Sequence, residues 1–265
     1  MVSVVVPTYN ERDNIEQLLS RLAAVRASLR EPLEVLVVDD CSPDGTSAYA
    51  QTLLAHFGLG RVIEREGARD LTLAVLHGVS HAKGNLIGVM DADLSHPPEL
   101  LPILVQAVRS GYEVAIASRY VPGGRVLHWP WSRRILSRVG NLMAWPLVSV
   151  ADANSGYFVA EAQLLQTLPS TSTGFKILLE ILVRGHVHRV QEVPYVFANR
   201  LRGTSKLDRR ILQRYLAQLW HLYRYRWLQR RTHPCAGIAP SDRERGQKLL
   251  VSTHPTHELL DNPRC

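Results

Sequence analysis

The chain has 265 residues, 46% of them apolar and 21% charged, enough for one catalytic-size domain with a substantial core. Lysine and arginine number 31 against 24 acidic residues; the net charge of +7 favours an anionic partner such as a phosphorylated ligand, an acidic membrane surface or nucleic acid. The three cysteines, Cys41, Cys235 and Cys265, have neither disulfide nor zinc spacing, which argues for a reducing, cytoplasmic setting.

The first apolar run meets Pro7 within a few residues and has no charged flank, so it does not read as a secretory signal. No uninterrupted apolar stretch reaches the roughly 20 residues that span a bilayer as a helix, and the chain is expected not to cross a membrane.

Two periodicities alternate along the first 120 residues. Short β-branched runs at Val2 to Val6, Glu34 to Val38, Arg61 to Ile63, Asn85 to Met90 and Glu113 to Ala117 predict buried strands. Between them, helical spacing places Ile15, Leu18, Leu19, Leu22 and Val25 on one face, with Asn10 as the expected N-cap. Further helices are predicted over Thr46 to Phe57, Leu71 to His81 and Pro98 to Arg109. The pattern is that of an α/β protein with a mostly parallel sheet flanked by helices. Two later segments, about 129–150 and 207–231, interleave arginines with Ile135, Leu136, Leu142 and Trp145, and with Leu216, Trp220 and Trp227. They predict amphipathic helices for an interface. Residues 232–265 are polar, lack periodicity and read as a mobile tail outside a catalytic domain of residues 1–227.

Open parallel sheets bind ligands at the carboxyl ends of their strands. Three such ends carry carboxylates here: Glu11 after the first strand, Asp39 and Asp40 after the second, Asp91 and Asp93 after the fourth. In an extended backbone the last two would point the same way and share a Mg²⁺ or Mn²⁺, ions that prefer oxygen and leave positions open for substrate phosphates. The plainer alternative is a cap for the next helix. Asp39 and Asp40 suit either ribose or base recognition or an Asx-type turn into Ser42-Pro43-Asp44-Gly45. Neither GxGxxG nor GxxxxGK[ST] occurs, which argues against dinucleotide oxidoreductases and P-loop enzymes.

Seven ordered blocks then carry a resemblance: VVPTYNERDNI, VVDDCSPDGT, VMDADLSHPPE, ASRYVPGG, DANSGYF, GFKILLEILVRG and EVPYVFANRLRGTSKL. Together they resemble glycosyltransferase family 2, of GT-A fold, and within it the polyprenyl-phosphate (dolichol-phosphate) mannosyltransferases. The resemblance implies inverting transfer of mannose from GDP-mannose to a polyprenyl phosphate, with Mg²⁺ or Mn²⁺, at the cytoplasmic face of a membrane. By it, Pro7, Tyr9, Glu11, Val38 and Asp40 contact the donor nucleotide, and Asp91, Ala92, Asp93 and Ser95 surround metal and diphosphate. Arg200 and Lys206 close over the donor phosphates, while Arg119, Arg133 and Ser137 hold the acceptor phosphate. Asp93, Arg119, Arg200 and Lys206 then carry the catalysis.

The chain departs from the family at Ser95, where some members have Gln, and at Asp70, where Gly is common. His77, His81 and His96 are expected to be structural or solvated, and Glu180 to play a supporting part. Other readings are a UDP-sugar donor, a sugar nucleotidyltransferase, and a nucleic-acid module using Arg209 to Arg231. A processive polysaccharide synthase is disfavoured because Tyr223 stands where its QxxRW motif has Gln.

Overall fold

The computed structural model describes residues 1–67, 69–127, 129–169, 176–198 and 209–232, with side chains 212–229 in the last stretch. The chain divides into a unit Met1–Trp227 and a second, Leu228–Cys265, of which only the end of one helix is described. The expected mobile tail, Cys235, Cys265, Arg200, Lys206 and Phe175 lie outside the described residues.

In chain order the elements are β1 (Val2–Thr8), α1 (Arg12–Arg26), β2 (Leu33–Asp39), α2 (Thr46–Phe57), β3 (Gly60–Glu64), α3 (Leu71–His81) and β4 (Leu86–Val89). A 3₁₀ turn (Pro98–Leu100) leads into α4 (Leu101–Arg109), followed by β5 (Val114–Ser118), β6 (Arg125–Val126), α5 (Trp131–Ala144) and β7 (Phe158–Glu161). Last come α6 (Ala162–Gln166), α7 (Ile177–Arg184), β8 (Val190–Pro194), β9 (Val196–Phe197) and α8 (Arg209–Thr232).

Seven strands form one sheet in the order β3-β2-β1-β4-β7-β5-β8, and β6 and β9 pair apart from it. Every pairing in the large sheet is parallel except those of β7, which runs antiparallel between β4 and β5. The carboxyl ends of β1 to β5 and β8 therefore share one edge with the start of β7. Every residue of β1, β2, β4 and β5 is buried, as in a sheet covered on both faces. Val2, Val4 and Val6 pack in one layer with α1, α2 and α4, while Val5 and Val38 pack in the other with α3, α7 and the inner residues of α8.

The predicted strands hold with shifted ends, but β3 is not the buried strand expected: it lies at the edge of the sheet, and only Ile63 in it is buried. β1 runs through Pro7, which pairs with Val38 of β2 after β4 has stopped at Val5, so the missing N–H faces no ladder on that side. Asn10 is not the N-cap of α1. It adopts a left-handed φ of 58° and Glu11 takes the cap position, because the Asn10 backbone N–H is drawn to Ser42 Oγ at 2.9 Å. Asp70 caps α3, accepting from the N–H groups of Thr72 and Leu73 at 3.0 and 3.2 Å. Close packing of α3 depends on Gly78, where a β-carbon would fall 2.5 Å from Val5 Cγ1.

One edge contact has a pH signature. Glu31 lies 2.5 Å from Arg109 and 2.7 Å from the amino group of Met1. Hydrogen bonding from Arg109, reinforced by that amino group, holds its carboxyl at about 2, below the ordinary 4.5. On acidification the unfolded chain takes up this proton first, so the pair's contribution is intact above pH 4.5 and is lost as pH falls toward about 2. The gap in urea midpoint between the wild type and Glu31→Gln is expected to shrink across that window and stay constant near neutrality.

Candidate active site

The first two loops of the common edge are tied together by short polar side chains. Glu11 N–H donates to Thr46 Oγ1 at 3.1 Å and Arg12 N–H to Asp44 Oδ2 at 3.3 Å. Asp39, fully buried, accepts from Ser42 N–H at 2.7 Å, Ser42 Oγ at 2.6 Å and Thr8 Oγ1 at 2.9 Å, so it builds the Asx-type turn. Its neighbour Asp40 receives Arg65 at 2.7 Å. Burial raises the Asp40 carboxyl above its usual range, against the pull of Arg65. Arg69 lies over the Tyr9 ring, 3.9 Å from its centroid. Pro7 and Val38 are buried beneath this floor, and the Glu11 carboxylate accepts from Asn14 Nδ2 at 2.7 Å.

The loop after β4 is a turn rather than the expected extended strand end, with Leu94 at a left-handed φ of 61°. The turn buries Asp93 and Ala92 and leaves Asp91 partly exposed. Asp93 Oδ1 accepts from Ser95 N–H at 3.1 Å and Ser95 Oγ at 2.6 Å, so Ser95 orients Asp93. His96, expected to be structural or solvated, is structural: it is buried beside Asp91. Its Nδ1 accepts the Asp91 N–H at 3.3 Å and lies 3.8 Å from Asp91 Oδ2, while its ring packs against Tyr157, Tyr195 and Phe197. Burial lowers its pKa, and both Asp91 and Asp93 act on it electrostatically from nearby. His77 and His81 lie against each other elsewhere, on α3, with their rings tilted at 59°.

Among the described residues, no three His, Cys, Asp or Glu side chains gather as a metal cage. The donor set is two carboxylates, the set that oxygen-preferring divalent ions use when substrate phosphates complete their coordination. Space beside Asp91 is kept by Gly156, where a β-carbon would fall 2.9 Å from Asp91 Oδ2 and 3.1 Å from His96 Cε1.

On the far side of this loop, Arg119 follows β5 into a buried fork with Asp152. Its Nε and Nη2 donate to the two oxygens of Asp152 at 2.8 and 2.7 Å, and its backbone N–H adds a third bond at 3.0 Å. Burial works against the guanidinium charge, but the bonds and attraction of Asp152 outweigh it and raise the pKa. Asn141 Nδ2 also reaches Asp152, which is fully buried. The Arg119 Nη1 takes part in no hydrogen bond among the described residues. Arg133 stacks on Trp129, 4.1 Å from the ring centroid, and Ser137 accepts from the Tyr120 hydroxyl at 2.8 Å. Trp129 Nε1 and the Tyr195 hydroxyl are buried without a hydrogen-bond partner among the described residues. Asp152 and Tyr195 had no predicted role; no local pattern marks them, though both stand inside blocks that carry the family resemblance.

The helices beside this pocket are joined by Tyr215, which donates to Gly140 O at 2.7 Å, and by Tyr223, which donates to Met143 O at 2.7 Å. Outward, α5 exposes Trp131, Leu142 and, at its end, Trp145, and α8 exposes Leu216, Trp220 and Trp227; Tyr215 and Leu219 turn inward. No helix among the described residues is long and apolar enough to cross a membrane.

Residues 3–179 match the family described as Glycosyl transferase family 2. The chain belongs to glycosyltransferase family 2. Among its relatives in that family is the dolichol-phosphate mannosyltransferase of Pyrococcus furiosus, 40% identical over 228 residues; the match covers 84% of this chain but 64% of the archaeal protein, so the chain spans less than two thirds of that relative. The dolichol-phosphate mannosyltransferase of Saccharomyces cerevisiae is 38% identical over 236 residues, covering 85% of this chain and 88% of the yeast protein. Among solved structures, glucosyl-3-phosphoglycerate synthase from Mycobacterium tuberculosis, in complex with Mn²⁺, UDP and phosphoglyceric acid, superposes with a TM-score of 0.65 at 21% identity. That match covers 84% of this chain and 78% of the other, and shows a shared GT-A fold. The family 2 assignment agrees with the sheet-edge position of the acidic loops.

Proposed function

We propose that this family 2 member transfers mannose from GDP-mannose to a polyprenyl phosphate of the dolichyl type, with inversion at the anomeric carbon. The observation that carries this reading is the buried Arg119–Asp152 fork near the Asp91–Asp93 turn, which in this reading serve as an anion site and a diphosphate site. The names of the 37–40% identical relatives support the sugar and the lipid.

In this reading Asp40 and Tyr9 receive the base and ribose of the donor. Asp91 and Asp93 would hold Mg²⁺ or Mn²⁺, which when bound neutralises charge on the departing diphosphate. Arg119, Arg133 and Ser137, with the unpartnered Trp129 N–H and Tyr195 hydroxyl, receive the acceptor phosphate. A phosphate monoester has a second pKa of about 6 and is mostly dianionic at neutral pH, so its oxygen needs no general base before attacking. The chain's work is to hold that oxygen in line with the breaking bond.

Between α5 and α8 lies an apolar groove of about 250 Å³, lined by Met143, Leu216, Leu219, Trp220 and Tyr223. With the exposed tryptophans and the arginines of both helices, it suits peripheral contact with an anionic leaflet at the cytoplasmic face, where each basic residue contributes about 1 kcal/mol.

The test is turnover. Purified protein given GDP-mannose, Mn²⁺ or Mg²⁺ and a polyprenyl phosphate is expected to form a mannosyl lipid, and GDP to raise its melting temperature more than UDP. Product from UDP-glucose with preferential stabilisation by UDP would overturn the donor assignment. Gly156→Ala is expected to displace Asp91 and lower turnover about 10-fold or more, since small displacements of reacting groups have effects of that order. Wild-type initial rates in this variant would remove Asp91 from the diphosphate site.

A further inference from the structure

Lys176 stands just before α7, in the block GFKILLEI. Its ammonium interacts electrostatically with four charged groups from both halves of the proposed site: Arg119 and Arg133 on the acceptor side, Asp91 on the donor side, and Asp152. His96, beneath the Asp91 turn, feels the charge of the same ammonium. The lysine is thus electrostatically linked to residues of both proposed phosphate sites.

Its backbone is held from a distant helix. Gln218 of α8 is buried; its Nε2 donates to Lys176 O at 3.0 Å, and its Oε1 accepts from Lys176 N–H at 3.3 Å. The same Nε2 donates to Glu180 Oε1 at 3.1 Å, and Glu180 pairs with Arg184 at 2.6 Å. One amide thus fixes both polar groups of a single backbone position. That arrangement limits where the attached side chain can reach. Residues on the outer face of the same helix, Leu216 and Trp220, are exposed.

We propose that Lys176 is a further catalytic residue, an ammonium ligand to the acceptor phosphate oxygens, and that Gln218 is the positioning residue that holds it there. The inference rests on the proposed acceptor-phosphate site. Arg119 is engaged by Asp152 through Nε and Nη2, so a phosphate there meets one end of a guanidinium rather than its full fork. A second, mobile point charge complements that geometry, because ammonium donors rotate to suit the oxygens. In the step, one phosphate oxygen forms a bond to the anomeric carbon as the bond from that carbon to the nucleoside diphosphate breaks. The leaving group takes the electron pair, a dianionic monoester becomes a monoanionic diester, and no proton moves. Lys176 stays protonated throughout. Burial, with Arg119 adding to it, lowers its pKa to about 8, and the approach of an anionic phosphate favours the protonated form.

The experiment uses the full chain, with citronellyl phosphate as a soluble phosphate monoester probe and Mn²⁺-GDP as the donor-site probe. Lys176→Met is expected to weaken citronellyl phosphate binding by about 10- to 100-fold, the range for a hydrogen bond to a charged group, and to leave Mn²⁺-GDP binding within about 2-fold. In turnover the loss appears in KM for the lipid phosphate more than in kcat, and Lys176→Arg recovers most of it. Gln218→Leu, which keeps the volume and removes both backbone bonds, is expected to weaken the probe about 5-fold but to add nothing in the Lys176→Met background. Wild-type probe affinity in Lys176→Met, or an equal fall in Mn²⁺-GDP binding, overturns the catalytic assignment; additivity in the double variant overturns the positioning one. If Lys176→Met does not fold, Lys176→Gln decides: wild-type KM for the lipid phosphate in that variant overturns the proposal. A wild-type protein that binds citronellyl phosphate but makes no mannosyl lipid sinks the proposed donor and leaves Lys176 standing. One that binds no phosphate monoester sinks both.

Discussion

Asp152→Ala is expected to destabilise the fold by about 3–5 kcal/mol, as removing one partner of a buried ion pair does, and to abolish turnover with it. Asp152 is fully buried, and its loss would strand the Arg119 guanidinium at a position where burial already opposes its charge. Urea unfolding measures the first effect. The second is separated by the double variant Arg119→Met, Asp152→Leu. Replacing both charges with apolar groups of similar volume restores much of the stability, because neither ion then remains uncompensated. Activity stays lost, because the phosphate no longer meets the Arg119 guanidinium. Recovered activity in that double variant would show the fork to be scaffolding alone.

Asp93→Asn is expected to lower kcat/KM by about 1,000-fold or more, the scale on which groups stabilising developing charge act. Its melting temperature is expected to stay near that of the wild type. Asparagine keeps the Oδ1 that accepts from Ser95 N–H and Oγ, so the turn survives while the charge is removed. Calorimetry is expected to show Mn²⁺-dependent GDP binding lost and metal-free GDP binding retained. Retained turnover would remove the cation from the reading. A fall in stability equal to that of Asp93→Ala would show that the charge serves the fold.

Much of this architecture was legible in the primary structure because its signals are local. The apolar spacing of Ile15, Leu18, Leu19, Leu22 and Val25 marks the buried face of α1, and all five are buried. The boundaries of α2 and α3 were read as they stand, and the central parallel strands β1, β2, β4 and β5 announce themselves as apolar runs buried on both faces. The acidic loops were legible too, since a parallel sheet gathers its carboxyl ends on one edge whatever the residues there do.

Only the tertiary structure decided the rest, and the reason is separation along the chain. Local pattern records periodicity within about one element, whereas a partner brought by folding leaves no periodic trace. Asp152 meets Arg119 across 33 positions, Arg65 meets Asp40 across 25, and Gln218 meets Lys176 across 42. β7 is four residues long and antiparallel, too short for its period to distinguish it, yet it places Asp152 and Gly156 at the site. Asn10 and His96 teach the same lesson at close range: a good capping residue was drawn out of the helix by Ser42, and a histidine with no second ligand in its own segment was enclosed by aromatics from two others. Chain-local chemistry chose the elements and their loops; packing between distant segments chose which charges face one another.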